Sequence, residues 1–253
     1  MLSHNNCNYK CGLCFLVQNL VRIFWYSLGM ELMDILFPRT CAVCSRWGEY
    51  LCSDCLNKLS LNFKSICPQC CKPSINGITH SRCHRPLGLD GLTASFAYKG
   101  VVEALLRKFK YGLVSDISET LFNLVISYTY LSFLNSKNWL VVPVPLHSSR
   151  LRWRGFNQAE LLAQSLATYL ELPYSSKILQ RSRKTKVQSL LNGEERSLNM
   201  KDAFQLTQPK ASLKGIDILL VDDVWTTGST LKEAAKPLKR AGAKSVWGLV
   251  LAS

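Results

Sequence analysis

From residue 90 onward the chain alternates short apolar, β-branched runs with longer stretches in which apolar positions recur every three or four residues. The first pattern is that of strands buried on both faces and the second that of helices with one apolar side. Residues 92–98 read as a strand, 101–111 and 117–134 as helices, and 139–144 as a strand closed by Pro143 and Pro145. A helix over 156–172 presents Leu161, Leu162, Ser165, Leu166 and Tyr169 on one face. Residues 216–221 form a buried strand, 229–241 a helix stopped by Gly242, and 245–251 the last strand. Strands separated by helices imply a parallel sheet flanked by helices, the α/β class. Ligands of such sheets bind at the carboxyl ends of the strands, so the loops after Val144 and Val221 are the places to search.

Before residue 90 the pattern changes. Residues 15–37 are strongly apolar but carry Gln18, Asn19, Arg22, Glu31 and Asp34, so no run approaches the ~18–20 apolar residues of a membrane span. No small-residue cleavage site follows it. The stretch reads as an amphipathic helix that docks on the protein or makes peripheral contact with a membrane surface. Cys7-x3-Cys11-x2-Cys14 has the spacing of an iron–sulfur triad, yet no long barrel pattern follows it. Residues 1–29 are therefore read as an extension of no assigned function, with Met30 as an alternative initiator, and the chain divides into 1–35 as extension, 36–89 as a cysteine-rich domain and 90–253 as the α/β domain.

All 11 cysteines of the 253 residues fall before residue 84. In the absence of an export signal this usage points to a reducing cytoplasm in which thiols serve metals. Cys41-x2-Cys44, Cys52-x2-Cys55, Cys67-x2-Cys70 and His80-x2-Cys83 each fit a knuckle that presents two ligands to one tetrahedral ion, so the region accommodates up to two zinc ions. Sequential pairing gives a four-thiolate site and a three-thiolate, one-imidazole site. Pairing the first knuckle with the third and the second with the fourth is the alternative, and Cys71 and His84 stand beside the second set as competing ligands. No ligand position is left open for water, so both sites read as structural, replacing a core that so short a segment cannot build.

The chain carries 31 basic and 17 acidic residues, a formal charge of +14. The excess favours an anionic partner and sits mainly in the cysteine region and between residues 150 and 201. One segment turns this general tendency into specific chemistry. Residues 218–230 run from an apolar strand into Asp222 and Asp223 and then into Trp225-Thr-Thr-Gly-Ser-Thr230, which opens a helix. Free amides at a helix start, hydroxyls from Thr226, Thr227, Ser229 and Thr230, and the close approach allowed by Gly228 make a cradle for a phosphate. The two acids repel phosphate and suit sugar hydroxyls or a divalent cation.

These residues resemble the phosphoribosyl pyrophosphate (PRPP) loop of type I phosphoribosyltransferases, with apolar positions, two acids and a Thr-Thr-Gly-Ser-Thr turn. Val142-Pro-Val-Pro-Leu-His147, Arg150-Leu-Arg-Trp-Arg-Gly-Phe-Asn-Gln158, Gln188-x2-Leu191, Arg196-x2-Asn199, Ala203-Phe204, Leu36-Phe-Pro38 and Lys110-Tyr-Gly112 together resemble the ComF family of competence-associated proteins. The resemblance runs from about residue 36 to 251 and implies a double zinc ribbon joined to a type I phosphoribosyltransferase domain. His80 departs from it, standing where the family has cysteine. The resemblance implies that Asp222 and Asp223 bind the ribose 2′- and 3′-hydroxyls and that residues 226–230 hold the 5′-phosphate. Mg2+ would accompany PRPP, with the backbone at Val144 and Pro145 and the side chain of Arg150 or Arg154 on the pyrophosphate side.

No residue identifies the acceptor. The label of glutamine amidotransferase implies an N-terminal cysteine nucleophile, which Cys7 does not supply. Two functions therefore stand. One is a phosphoribosyltransferase acting in DNA uptake during natural transformation, with the uptake machinery among its partners. The other is a non-catalytic factor for single-stranded DNA with a sensory or relic PRPP pocket, for which Arg150, Arg152, Trp153, Lys184 and Lys186 supply cations and a stacking ring. A solvated basic face is the plainest reading of the same arginines. Residues 181–191 further read as a candidate lid.

Overall fold

A computed structural model describes residues 38–61, 65–111, 116–129, 131, 134, 138–183, 200–208 and 212–253. The expected amphipathic helix at 15–37, the motif residues between 188 and 199, and Lys184 and Lys186 lie outside the described residues.

Among the described residues the first helix, α1 (Ser53–Leu56), is a single turn inside the second cysteine knuckle, with Cys52 at its N-cap and Cys55 within it. The α/β domain then follows as β1 (Gly91–Phe96), α2 (Gly100–Tyr111), α3 (Ile117–Tyr128), β2 (Trp139–Pro143), α4 (Ser148–Arg154), α5 (Gln158–Tyr169), β3 (Leu179–Arg181), β4 (Phe204–Leu206), β5 (Asp217–Val224), α6 (Ser229–Arg240) and β6 (Ser245–Ala252). The main sheet has the order β1-β6-β5-β2 and every pairing in it is parallel. β3 and β4 pair antiparallel as a separate ribbon.

The two-faced burial of β5 shows why its apolar run is unbroken. Leu219 and Val221 enter one core with α2, α3 and α5, whereas Ile218 and Leu220 enter the other with α6 and the β3–β4 ribbon. Successive side chains of a strand point to opposite faces, so a sheet covered on both sides needs apolar residues at every position. The first core also takes in Cys41, Cys52 and Cys55, so the cysteine knuckles share their burial with the sheet's helices.

Three elements differ from the sequence expectation. The helix begun at Ile117 ends at Tyr128, where Thr129 turns to extended backbone, instead of reaching residue 134. The helix expected over 156–172 is Gln158–Tyr169, and the segment before it, read as a loop, is the separate helix α4. His147 accepts a hydrogen bond from the Ser149 amide at its start, and Gly155 at a φ of 78° ends it. The strand after residue 216 runs on to Val224, so Asp222 and Asp223 belong to its last turn of pleat and are not loop residues. The β3–β4 ribbon was not expected. Among the described residues no helix is long and apolar enough to cross a membrane.

Phe109 of α2 is fully buried and packs at 5.5 Å against Phe156, joining α2 to the segment that enters α5. Phe109→Ala is expected to lower stability by ~3–5 kcal/mol, read as a lower urea midpoint of the zinc-loaded protein.

Candidate functional site

The carboxyl ends of β2 and β5 open into a cavity of ≈ 810 Å³. Its walls come from four directions: Lys110 and Tyr111 from α2, Val144 and Pro145 after β2, Arg150, Trp153 and Arg154 from α4, and Arg181 from β3. Asp222, Asp223, Thr226 and Thr230 line it as well.

At the acidic end, the Asp223 carboxylate lies 2.8 Å from the Lys110 ammonium. The Asp223 amide donates to Asp222 Oδ1 at 2.8 Å. Burial works against the Lys110 charge, but the field of Asp223, and behind it Asp222, holds its pKa above the usual lysine value. Among the described residues Asp222 makes no ion pair at contact distance. Burial, followed by the neighbouring Asp223 charge, pushes its carboxyl up to about 7 against the pull of the Asp223 amide, Lys110 and Arg181.

The same cavity has a cationic wall. Arg150 and Arg154 are one turn apart on α4, which brings them to the same side of that helix. Burial and then the Arg154 charge lower the pKa of Arg150, and burial and then Arg150 bring Arg181 down to about 10. Arg154 donates to Oε1 of the buried Gln158 at 2.8 Å, and the buried Asn157 donates to the Val144 carbonyl at 3.1 Å. The start of α5 thus fixes both the arginine helix and the turn after β2.

Between Thr226 and Thr230 the backbone turns sharply into α6. Gly228 has a φ of 73°, and a Cβ there would meet the Trp225 ring at 2.1 Å, so both conformation and space demand glycine. Thr227 and Ser229 hydroxyls lie 3.1 Å apart and the Ser229 amide donates to Thr227 Oγ1, leaving the helix start hydroxyl-rich. Of the residues expected at the pocket, Val144, Pro145, Arg150, Trp153, Arg154, Asp222, Asp223, Thr226 and Thr230 line the cavity, whereas Thr227, Gly228 and Ser229 lie in the turn without lining it. Arg152 is exposed on α4 and forms no part of the cavity wall, because a seven-residue helix directs it away from Arg150 and Arg154. Lys184 and Lys186 fall outside the described residues. Sequence reasoning did not assign Lys110, Tyr111 or Arg181 to the cavity. Lys110 and Tyr111 were visible only as part of a family pattern, and Arg181 only as one of many basic residues and as the first residue of the candidate lid.

The metal-ligating groups gather sequentially. Cys41, Cys44, Cys52 and Cys55 form one cluster, and Cys67, Cys70, His80 and Cys83 the other, each with its ligand atoms within 4.8 Å of one another. The crossed pairing is thereby excluded. A tetrahedral zinc ion with bonds of ~2.3 Å places its sulfurs ~3.7 Å apart, and Cys44 and Cys52 lie at 3.6 Å. His80 turns Nδ1 toward Cys70 at 3.4 Å and Cys83 at 3.9 Å, while its Nε2 donates to the Pro73 carbonyl at 3.0 Å. Such an outer hydrogen bond fixes the imidazole's tautomer and orientation as a ligand. Cys71 is exposed with a φ of 57°, and His84 points to Asp90 at 3.5 Å, so neither enters the cluster. Both donor sets fit a structural zinc ion.

Residues 154–253 match the phosphoribosyl transferase domain family and residues 32–85 the double zinc ribbon domain family. The chain is thus a phosphoribosyltransferase-fold protein with an N-terminal double zinc ribbon. It is 34% identical over 220 residues to DNA utilization protein YhgH of Salmonella typhimurium, covering 83% of this chain and 94% of that protein. It is 37% identical over 157 residues to competence protein F of Haemophilus influenzae, covering 58% and 67%. With competence protein ComFC of Bacillus subtilis it shares 29% over 206 residues, covering 77% and 80%. The chain belongs to the ComF family, which includes the competence proteins ComF and ComFC and the YhgH proteins.

Two predictions follow from this geometry. Zinc analysis is expected to give two ions per chain, with Cys41→Ser and His80→Ala each removing one. The second concerns Asp222, whose carboxyl titrates from 3.8 when unperturbed to about 7 in the fold. Between those values the folded state holds the extra proton, so stability falls as pH rises and the loss is complete above about 7. Asp222→Asn stays neutral and should be more stable than the ligand-free parent at pH 8, a difference that vanishes toward pH 4 in parallel denaturation curves.

Proposed function

We propose that the cavity binds PRPP together with Mg2+ and that the chain acts in the cytoplasm in the handling of DNA during uptake, transferring the phosphoribosyl group to an acceptor. The observation that carries this reading is the polarity of one cavity: two acids at the end of β5, a hydroxyl-rich helix start beside them and arginines facing them. Ribose hydroxyls suit the carboxylates of Asp222 and Asp223. The 5′-phosphate suits the turn from Thr226 to Thr230, where amides and hydroxyls meet an anion without a competing carboxylate. Arg150, Arg154 and Arg181 suit the pyrophosphate, whose departure concentrates negative charge where cations already stand. Mg2+, when bound, adds positive charge to the leaving pyrophosphate.

The relatives' names supply the DNA side of the proposal. DNA utilization and competence are what YhgH and the competence proteins are named for, and the formal charge of +14 suits a polyanionic partner. Partners in the uptake machinery belong to the same proposal. A purely DNA-binding protein with a silent pocket is the second reading, favoured by the exposure of Trp153 on the same helix as the arginines.

Calorimetry with the zinc-loaded chain, PRPP and Mg2+ tests the pocket. Micromolar binding is expected, with more than ten-fold loss in the Asp222→Asn/Asp223→Asn double variant and in Gly228→Ala. Absence of binding by folded, zinc-loaded wild type would overturn the reading and leave DNA binding as the activity.

A further inference from the structure

Lys110 stands one residue before the end of α2 and meets the acid pair directly. Its ammonium lies 2.8 Å from Asp223 Oδ2, and only 20% of its side chain and 16% of that of Asp223 are exposed. The neighbouring Asp222 turns Oδ1 back onto the Asp223 amide at 2.8 Å. One oxygen of each acid is therefore engaged inside the protein. Both acids and Lys110 line the cavity, so the three present one surface to a ligand. Arg107, one turn earlier on α2 and also at the cavity, is committed to Glu103 at 2.9 Å.

Two adjacent carboxylates at a cavity wall suit a divalent cation, because hard cations take oxygen ligands and a double negative charge offsets the cost of dehydrating them. Lys110 changes that balance. An ammonium tethered against one carboxylate is a counter-charge that need not be drawn from solution, and in a mostly buried pair it is little screened by salt. Mg2+ dehydrates reluctantly and leans on substrate phosphates for much of its binding, so on its own it would have to displace a cation already in contact. A neutral hydroxyl meets no such conflict. It donates to the carboxylate oxygen that the protein leaves uncovered and adds no positive charge beside the ammonium.

We propose that Lys110 is a specificity-determining residue: its ammonium makes the acid pair a receptor for two neighbouring hydroxyls of a sugar and closes that pair to free divalent cations. Of the two partners that paired acids suit, hydroxyls and a cation, Lys110 selects the first. The sugar part of this inference rests on the function proposed above; the exclusion of the cation does not.

The test uses the full zinc-loaded chain with Mn2+ as the cation probe, read from the loss of its free-ion paramagnetic resonance signal. Zinc-filled thiolate sites leave Mn2+ only oxygen ligands. Wild type is expected to show no saturable Mn2+ binding at submillimolar concentration. Lys110→Met should gain a Mn2+ site, tightening binding by about 10-fold or more, and adding Asp223→Asn should abolish that gain. Lys110→Arg keeps the charge and should exclude Mn2+ as wild type does. A gain of binding is not the signature of a loosened fold, and Lys110→Gln, which keeps a polar group toward Asp223, provides a second neutral variant. In calorimetry without divalent cation, ribose 5-phosphate should bind wild type more tightly than 2-deoxyribose 5-phosphate by about 5-fold or more. Saturable Mn2+ binding by wild type that Asp223→Asn removes, or no gain in folded Lys110→Met and Lys110→Gln, would overturn the exclusion. Equal binding of the two sugar phosphates would overturn the hydroxyl receptor. Failure of PRPP and ribose 5-phosphate alike to bind wild type, with the Mn2+ gain present, would overturn the function proposed above and leave the exclusion standing.

Discussion

Asp222 and Asp223 stand side by side at the carboxyl end of a buried strand, and their mutual repulsion is the constraint that the surrounding structure answers. Two adjacent carboxylates out of bulk water cannot both ionise without a counter-charge. Lys110 supplies one at 2.8 Å from Asp223, and Asp222 is left with a carboxyl pushed up to about 7. A proton on Asp222 therefore serves where a cation or a pair of donating hydroxyls would serve better. With Asp223 paired to Lys110 and Asp222 holding its proton, the acid pair sits in an otherwise well-packed sheet without an uncompensated charge.

Helix α2 carries this constraint across the molecule. Lys108 donates to the Thr40 carbonyl at 2.6 Å and to its hydroxyl at 2.7 Å, and it lies over the Tyr50 ring at 5.5 Å. Two residues later on the helix, about 200° around its axis, Lys110 reaches Asp223. One side of the helix therefore grips the residue next to the Cys41 ligand position while another neutralises the acid pair. The fully buried Leu105 and Phe109 between them pack in the same core as Cys41, Cys52 and Cys55. The first zinc knuckle thus forms part of the phosphoribosyltransferase domain's own packing instead of a separate bead on the chain.

The sheet and the acid-plus-hydroxyl loop were legible because each is local. Residues 218–221 announce a two-sided strand by unbroken apolarity, and the turn from Thr226 to Thr230 announces a hydroxyl-rich helix start by composition. The eight metal ligands were legible from spacing, although their pairing was not: two pairings satisfy the same intervals, and only the fold chooses. What escaped was tertiary. Lys110 sits in an ordinary amphipathic helix, and nothing within 100 residues of it in sequence reveals that it meets Asp223. Arg181 belongs to a two-stranded ribbon too short to give a periodic signal. Reading α4 as a loop had a consequence of its own, because only a helical turn separates Arg150 and Arg154 from Arg152 by direction.

The cationic wall sharpens the chemical argument further than the loop motif does. Burial and then Arg154 lower the pKa of Arg150, and burial and then Arg150 lower that of Arg181, an arrangement that a structural role would not favour, since like charges in a partly enclosed space destabilise the empty protein. A strand-to-helix turn with threonines is compatible with many ligands. An acidic pair facing a crowd of arginines across one cavity is compatible with few: the ligand has to offer neutral hydroxyls or a cation at one end and concentrated negative charge at the other. A sugar bearing a polyphosphate meets that description, and a uniform polyanion such as a bare DNA backbone does not, because the acids would repel it. The charge pattern of the cavity therefore supports the proposed sugar-phosphate ligand over a uniform polyanion.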